Sequence, residues 1–486
     1  MDPLLLESLG QINKDIRKEN KSIRNRLQSI LLDNKFLNDE VLPCFPDFPI
    51  IPNERCGLWY VPPEDFKQTS YFKSTDGHTN QWDFSTRRLN FHLFPTLRSS
   101  GGIIIVDSTR RGKKIPDALS KTIPIWCAVL NYIMLLSQRG SDDIDITDVL
   151  FTPPETISKT EYDMIARRIP DLVGKLVKLD IVDGNELFIL LQGKLLRPFW
   201  VYPGSSLLQS SRDVFTGEIT GDSWNVPQHA NIIPIILCTI SYRAQDGHDK
   251  RHGFTYVQGA ADDHELWSEG LTPTLFWSHI NFFRNMNHTE EQINQFVETL
   301  VQEQDDAGEQ SDINDAFDYI DNVTPQLELG KIKDNVVIGK VLREKLSDRF
   351  ALSIILSENV ELDPVDNENL PISTHIFKLQ SGSKKSSKLL RNKIEEIIGL
   401  VESQMNNALN KPILICCNTG TDMSIGILLA LLCRNYSERW VLGEVEAKRL
   451  DKIMIRKQLT RLISHLEGRT INTSRATLNS VNNYLM

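Results

Sequence analysis

The sequence has no apolar run long enough for a bilayer. Its longest, Ser424 to Cys433, falls well short of the roughly 20 residues of a spanning helix, so it reads as a core helix and no membrane partner is expected. Cysteine is scarce as well: seven residues in 486, an odd number without repeating spacing. That excludes a disulfide-stapled scaffold, and Cys127, Cys238, Cys416 and Cys433 stand inside apolar stretches, as reduced core thiols do. Met1 to Glu7 carry neither a basic segment nor a long apolar one, which argues against a secretory signal and makes the cytoplasm the expected compartment. Glycine and proline, 26 and 22 residues, are too few for a collagenous or low-complexity chain, and no internal repeat is present. What remains is an ordinary globular composition, 40% hydrophobic and 24% charged. At roughly 150 residues per domain, the length predicts two or three domains.

An excess of acid over base, 64 residues against 54, speaks against a nucleic-acid partner when taken over the whole chain, yet electrostatic footprints are local. Four windows are basic: Lys14 to Arg26, Arg110 to Lys121, Lys384 to Lys393 and Lys448 to Arg461. The acid is concentrated between Glu303 and Asp321, a stretch without Lys or Arg. The chain is therefore polarised in charge.

Leu5, Leu9, Ile12, Ile16, Ile23, Leu27 and Ile30 recur at helical steps and predict one amphipathic helix over residues 4–32. Lys14, Arg17, Lys18, Lys21 and Arg24 form a stripe on its other side, either a track for phosphates or a solvated face. From the proline-rich stretch at residues 43–63 to about residue 300, short β-branched runs alternate with helical ones, so residues 1–302 read as a mixed α/β domain. Residues 303–330 read as an acidic linker or loop. Residues 331–486 read as a second α/β domain, with strands at 335–339, 351–356 and 412–417 and helices over 389–409, from Glu444 and from Ser474.

Three loops carry chemistry. Cys417-Asn418-Thr419-Gly420-Thr421-Asp422-Met423-Ser424 joins a strand to a helix, where unpaired backbone N–H groups suit an anion. With Gly at +3 and Ser at +7 from the Cys, it resembles the phosphate loop of the protein tyrosine and dual-specificity phosphatases, whose Cys is the nucleophile, whose +6 Arg clamps the phosphoryl oxygens and whose +7 hydroxyl supports the thiolate. Here the +6 residue is Met423, so phosphatase chemistry is expected to be disabled, with Asp422 repelling phosphate further. A tight turn with two buried thiols is the competing reading. The segment Gly101 to Lys114 repeats the design: an apolar strand, Asp107 at its end, the hydroxyls of Ser108 and Thr109, Gly112, and the cations Arg110, Arg111, Lys113 and Lys114. It suits a multiply phosphorylated ligand, with Asp107 available to a metal-bound water or a sugar hydroxyl, and competes with a solvated basic turn. In Tyr256 to Trp267, the group Asp262, Asp263 and His264 can ligate Mg²⁺ or take up a proton, while N-capping of a helix by either Asp is the alternative. His248 and His252 have the step of a zinc pair but no third ligand, so no zinc is expected.

Taken together, Asp107 to Asn131, Tyr256 to Trp267 and Cys417 to Ser424 resemble the fungal initiator tRNA phosphoribosyltransferases, the tRNA 2′-O-ribosylphosphate transferases, and the likeness extends over nearly the whole chain. The resemblance implies a family-specific N-terminal α/β catalytic domain and a C-terminal domain similar to dual-specificity phosphatases. It implies a pentosyltransferase that moves a 5-phosphoribosyl group from phosphoribosyl pyrophosphate to the 2′-hydroxyl of a T-stem adenosine in initiator methionine tRNA, barring that tRNA from elongation. One departure is plain: the usual phosphoribosyltransferase fingerprint, two acids followed by Thr-Gly-x-Thr, is absent, since Cys416 to Thr421 keeps Thr-Gly-Thr without the acids. Donor binding must use another geometry. On this reading Mg²⁺ comes with the donor and is oriented by Asp262 and Asp263, or by Asp107. Arg110, Arg111, Lys113 and Lys114 meet the leaving pyrophosphate, and one of the acids takes the 2′-hydroxyl proton late, with His264 beside them. The loop of Cys417, Asn418, Thr419, Gly420, Thr421, Asp422 and Ser424 is a candidate second anion site. Initiator tRNA, and no DNA, is the expected partner of Lys14, Arg17, Lys18, Lys21, Arg24, Lys384, Lys385, Lys388, Lys448, Arg449, Lys452, Arg456 and Lys457. The rival readings are a phosphatase acting on RNA or phosphoprotein, against which Met423 speaks, and a non-catalytic tRNA-binding factor, which consumption of the donor would exclude.

Overall fold

Runs of Ile and Val without polar alternation belong to strands covered on both faces, as in parallel sheets, and two such sheets organise the protein. A computed structural model describes the chain except residues 1–18, 20, 55, 74–81, 86–87, 111, 140–143, 180, 210–230, 306–311, 364–372, 380, 382–383, 406–410, 438, 444–449, 467–470 and 472. The chain divides into two compact units, one reaching Val301 and the other beginning at Gln302. Both are mixed α/β, the expected class.

The principal elements of the first unit are α1 (Ile23–Phe36), β1 (Ile50–Pro52), α2 (Phe94–Ser100), β2 (Ile103–Asp107), α3 (Ile123–Arg139), α4 (Lys159–Val177), β3 (Leu195–Val201), β4 (Ile232–Thr239), the strands β5 (His248–Arg251) and β6 (Phe254–Val257), and α5 (Glu290–Asp305). Four strands lie in the order β1-β2-β4-β3, all parallel. Ile103, Ile105, Ile235 and Leu237 face a core built with α3 and α4. Ile104, Val106, Ile236 and Cys238 face the opposite core, with α1, Trp59, Trp267 and Phe276. Because the strands run the same way, the segments after Pro52, Asp107, Val201 and Thr239 gather at one edge, where open parallel sheets hold ligands.

Two expectations change in this unit. Of the helix predicted over residues 4–32, residues 4–18 lie outside the described residues, and the remainder is interrupted at Ser22, whose hydroxyl accepts from the N–H of Asn25 at 3.1 Å and so caps the helix that follows. That helix runs beyond residue 32 to Phe36 and buries Ile23, Leu27 and Ile30, as their spacing predicts. The strand leading into the Tyr256 to Trp267 segment, β6, pairs among the described residues with β5 alone, in a hairpin apart from the main sheet. His248 is therefore on a strand and His252 in its turn, so they share no helical face. Among the described residues one helix, Ala118–Arg139, is long and apolar enough to cross a membrane, a run that the sequence hides by placing Lys121 and Asn131 in it; most of it is buried in the unit's core.

In the second unit the elements are β7 (Phe317–Thr324), β8 (Leu327–Ile332), α6 (Lys340–Arg349), β9 (Leu352–Leu356), β10 (Thr374–Phe377), α7 (Lys384–Met405), β11 (Ile413–Cys417), α8 (Met423–Asn435), α9 (Lys452–His465) and α10 (Arg475–Leu485). The sheet order is β10-β9-β11-β8-β7, parallel except for β7, which is antiparallel to β8. Residues 317–330 are thus sheet, not linker. β7 is an edge strand with two register irregularities, and its acids serve as edge charges do: Asp318 faces solvent and pairs with Lys331 at 2.7 Å. Asp312 caps the short helix before it. The apolar α8 is enclosed from Met423 to Cys433, the core helix expected from its composition. All seven cysteines are buried free thiols.

Candidate active site

At the end of β2 the Asp107 carboxylate is fully buried. One oxygen accepts from the side-chain amide of Asn53 at 2.9 Å, the other from the N–H of Ser108 at 2.9 Å. Asn53 also donates to the Phe72 carbonyl at 3.1 Å and accepts from its N–H at 2.8 Å, so this network fastens the end of β1 to β2. Asp107 is consequently a brace and not a ligand for a sugar or a metal-bound water. Ser108 and Thr109 are buried too, and the Thr109 N–H and carbonyl both bond the Ser241 hydroxyl at 3.1 Å. The donors expected to meet phosphate are turned inward, and Arg110 is the first side chain of the loop to reach solvent.

The Tyr256 to Trp267 segment packs directly on this loop. Gly259 has φ +68°, and a Cβ there would lie 2.9 Å from the Thr109 carbonyl oxygen and 3.0 Å from Arg110 Cβ. Its neighbour Gln258 accepts from the N–H groups of Gly112 and Ala244 at 2.9 and 3.0 Å and donates to the Lys113 carbonyl at 2.8 Å. The contact places the Arg110 guanidinium between two carboxylates: Nε is 3.5 Å from Asp262 Oδ2 and Nη1 is 2.5 Å from Asp263 Oδ2. Asp262 is buried and its other oxygen accepts from the Cys56 thiol at 2.8 Å. Its carbonyl receives Arg26 and the Trp267 indole, both at 3.1 Å. Burial draws the Arg26 pKa down against the opposing pull of Tyr60, Asp262 and Asp263. Asp263, in a left-handed conformation at φ +50°, keeps 58% of its side chain exposed. His264 is half exposed and tilted against Trp59 at 6.1 Å. Asp263 occupies the cap position of the turn His264–Leu266 without a side-chain cap bond, so capping is not its role.

The cation cluster is divided. Lys113 is 3.7 Å from Asp117, and Lys114 pairs with Glu155 while lying over the Tyr202 ring at 4.2 Å. Arg111 lies outside the described residues. Magnesium brought by the donor would need only one or two carboxylates beside the donor's phosphates, and Asp262 and Asp263 are the pair expected to supply them. Among the described residues no group of three or more His, Cys, Asp or Glu is placed to hold a metal. Asp262 is engaged by Cys56 and Arg110, and Asp263 by Arg110. Asn53, Cys56, Gln258 and Ser241 carry no local motif that would mark them in the sequence, and Arg26 stands there only as the end of a basic window. Gly259→Ala is expected to lower the melting temperature and transfer activity together without altering charge, since left-handed backbone costs an L-residue roughly 1–2 kcal/mol before the contact with Thr109 is counted; thermal unfolding and a transfer assay check it.

In the second unit β11 ends on Cys417, fully buried. Its sulfur is 3.0 Å from the Ser424 hydroxyl and 3.4 Å from that of Thr419, and it receives the Gly420 N–H at 3.1 Å. This is the hydroxyl support of a phosphatase loop. Met423 is fully buried in the core. Asp422 does not face an anion: its carboxylate accepts from the Ser474 N–H at 2.8 Å and ties the loop to the start of α10. Asn418 and Thr421 flank it, half-buried, and the Thr473 hydroxyl donates to the Thr421 carbonyl at 3.5 Å.

Of the basic residues expected to meet RNA, Lys14, Arg17, Lys18, Lys448 and Arg449 lie outside the described residues. Arg24 is fastened instead, donating to the carbonyls of His288 and Met286 at 2.9 and 2.8 Å. Lys21, Lys388, Lys452 and Arg456 are exposed and Lys457 is partly buried. Lys384 and Lys385 begin α7.

A parallel sheet with an arginine held between carboxylates at its carboxyl edge, followed by a unit whose cysteine loop keeps a phosphatase frame without its arginine, marks an α/β protein with a phosphatase-like second domain. The chain belongs to the Rit1 family: the Rit1 N-terminal domain matches residues 16–302 and the Rit1 DUSP-like domain residues 373–485. It is 56% identical, over all of its length and 96% of the relative's, to the tRNA A64-2′-O-ribosylphosphate transferase of Saccharomyces cerevisiae. An uncharacterized protein of Schizosaccharomyces pombe is 41% identical over 62% of this chain and 60% of its own.

Proposed function

We propose that this chain is a tRNA 2′-O-ribosylphosphate transferase, a pentosyltransferase that carries a 5-phosphoribosyl group from phosphoribosyl pyrophosphate to a T-stem adenosine of initiator methionine tRNA and so keeps that tRNA out of elongation. The observation that carries the reading is the 56% identity along the whole chain to the yeast transferase. The first unit's site has chemistry suited to it. In the reaction the bond from the anomeric carbon to pyrophosphate breaks, the 2′-oxygen bonds to that carbon, and its proton departs. Charge develops on the leaving pyrophosphate, and Arg110, planar and permanently charged, forks onto two of its oxygens.

Pyrophosphate then competes with Asp262 and Asp263 for the guanidinium. Asp262 stays held by Cys56, whereas the exposed Asp263 is released and accepts the 2′-hydroxyl proton. A weak base suffices because the oxocarbenium-like centre carries most of the reactivity. The acceptor's 2′-hydroxyls lie in the shallow minor groove of A-form RNA, so recognition by shape and phosphate contacts is expected.

The test is incubation of the full chain with donor labelled in its ribose phosphate and bulk tRNA, followed by nuclease mapping. Label on one adenosine of initiator tRNA, with release of one pyrophosphate per transfer, is the expected result. Donor left intact while phosphoesters are hydrolysed through Cys417 would replace this reading with a phosphatase.

A further inference from the structure

A groove of about 280 Å³ separates α9 from α10. Its rim carries Lys452, Arg456, Arg475, Asn479 and Asn482, and its floor Ile455, Leu459 and Leu478. Lys452 and Arg456 are one helical turn apart, as are Arg475 and Asn479, so each helix turns a single stripe to the groove. Among the described residues no carboxylate lines it. The nearest acid in sequence, Asp451, accepts from the N–H groups of Ile453 and Met454 at 2.8 Å and is held as the cap of α9. Among the described residues none of the three cations makes an ion pair, in a chain whose net charge is −10.

We propose that this groove binds a ribose-phosphate segment of RNA. Like charges around one cavity repel each other until an anion enters. A sugar-phosphate backbone matches all three features of the lining. Its phosphates meet the cations, its 2′-hydroxyls and phosphate oxygens meet the two amides, which both donate and accept, and its sugar carbons lie on the apolar floor. An acidic protein segment also brings carboxylates to the cations, but it lacks the regular succession of phosphate and ribose hydroxyl that the two stripes present partners for, and competition separates the two. The inference deepens the tRNA reading and rests on it for the identity of the RNA; Arg475, Asn479 and Asn482 are new to it.

The variants are Lys452→Glu/Arg475→Glu and Arg456→Glu, in the full chain. Lys452 and Arg475 are the first residues of their helices, where an acid suits the helix dipole better than a cation, so the double variant keeps its fold, as circular dichroism would verify. Affinity for an initiator tRNA transcript is measured against log salt, beside affinity for phosphoribosyl pyrophosphate. The expected result is binding about tenfold weaker or more at 0.15 M salt, a slope shallower by roughly one per phosphate contact removed, and unchanged donor affinity. A short RNA duplex should compete for the groove better than the DNA duplex of the same sequence, and a glutamate-rich peptide not at all. Unchanged tRNA affinity and slope in variants that still transfer label would overturn the groove alone. Loss of peptide binding with tRNA binding intact would reassign it to an acidic protein. Salt-dependent RNA binding through the groove in a wild-type chain that transfers no label would sustain the groove and sink the transferase reading.

Discussion

Replacing Arg110 by alanine is expected to lower kcat/KM for phosphoribosyl pyrophosphate by about 10²–10³-fold while tRNA affinity stays near wild type. The magnitude is that of removing one preorganised charged donor from a site where leaving-group charge develops. The selectivity follows from position: Arg110 is the one described cation of its loop that faces Asp262 and Asp263, whereas Lys113 and Lys114 turn to Asp117 and Glu155. Arg110→Lys keeps the charge but cannot fork between two acceptors, and an intermediate loss is expected. Lys113→Ala should cost much less. Steady-state kinetics with labelled donor, beside equilibrium tRNA binding, separate the outcomes. Loss of tRNA affinity with donor use intact would move this loop to the acceptor surface.

Met423→Arg is the change that sequence alone would choose to restore a phosphatase, and it is expected to destroy the second unit instead. The side chain at this position is fully buried among Leu and Ile of the core. A guanidinium there has no partner, and an uncompensated buried charge costs about 3–5 kcal/mol, a large fraction of the roughly 5–15 kcal/mol of a typical domain. Insoluble protein, or the loss of one unfolding transition at physiological temperature, is the expected finding. Wild type should show no turnover of a generic aryl phosphate, and Cys417→Ser should change nothing in that assay. Hydrolysis that appears in Met423→Arg and vanishes on adding Cys417→Ser would show that the loop needs only its arginine.

Strands β2, β9 and β11 and the helix α8 were readable because each is enclosed, and enclosure leaves uninterrupted apolar runs. β7 was not, because an edge strand carries its acids for solubility and so imitates a linker. The break at Ser22 was hidden by apolar residues that keep helical spacing on both sides of it. In the site, the three loops announced themselves through Gly, hydroxyls and charge after a strand. Which of their side chains face outward did not: Asp107, Ser108 and Thr109 turn in because their partners are Asn53 and Ser241, and Cys56 meets Asp262 from 206 residues away. Spacing within a motif carries no information about such partners.

The strand order β1-β2-β4-β3 has a consequence for how the chain is made. β4 is the last of the four to leave the ribosome, yet it lies between β2 and β3 and bonds both. Until residue 239 has emerged, β2 and β3 each expose an unpaired, strongly apolar edge, and the pairing that closes them is non-local and therefore slow. The nascent first unit thus passes through a stage with two adhesive edges, the kind of intermediate that chaperones shield. A fragment ending ahead of β4 keeps that stage permanently, so the first unit matures as a whole or aggregates.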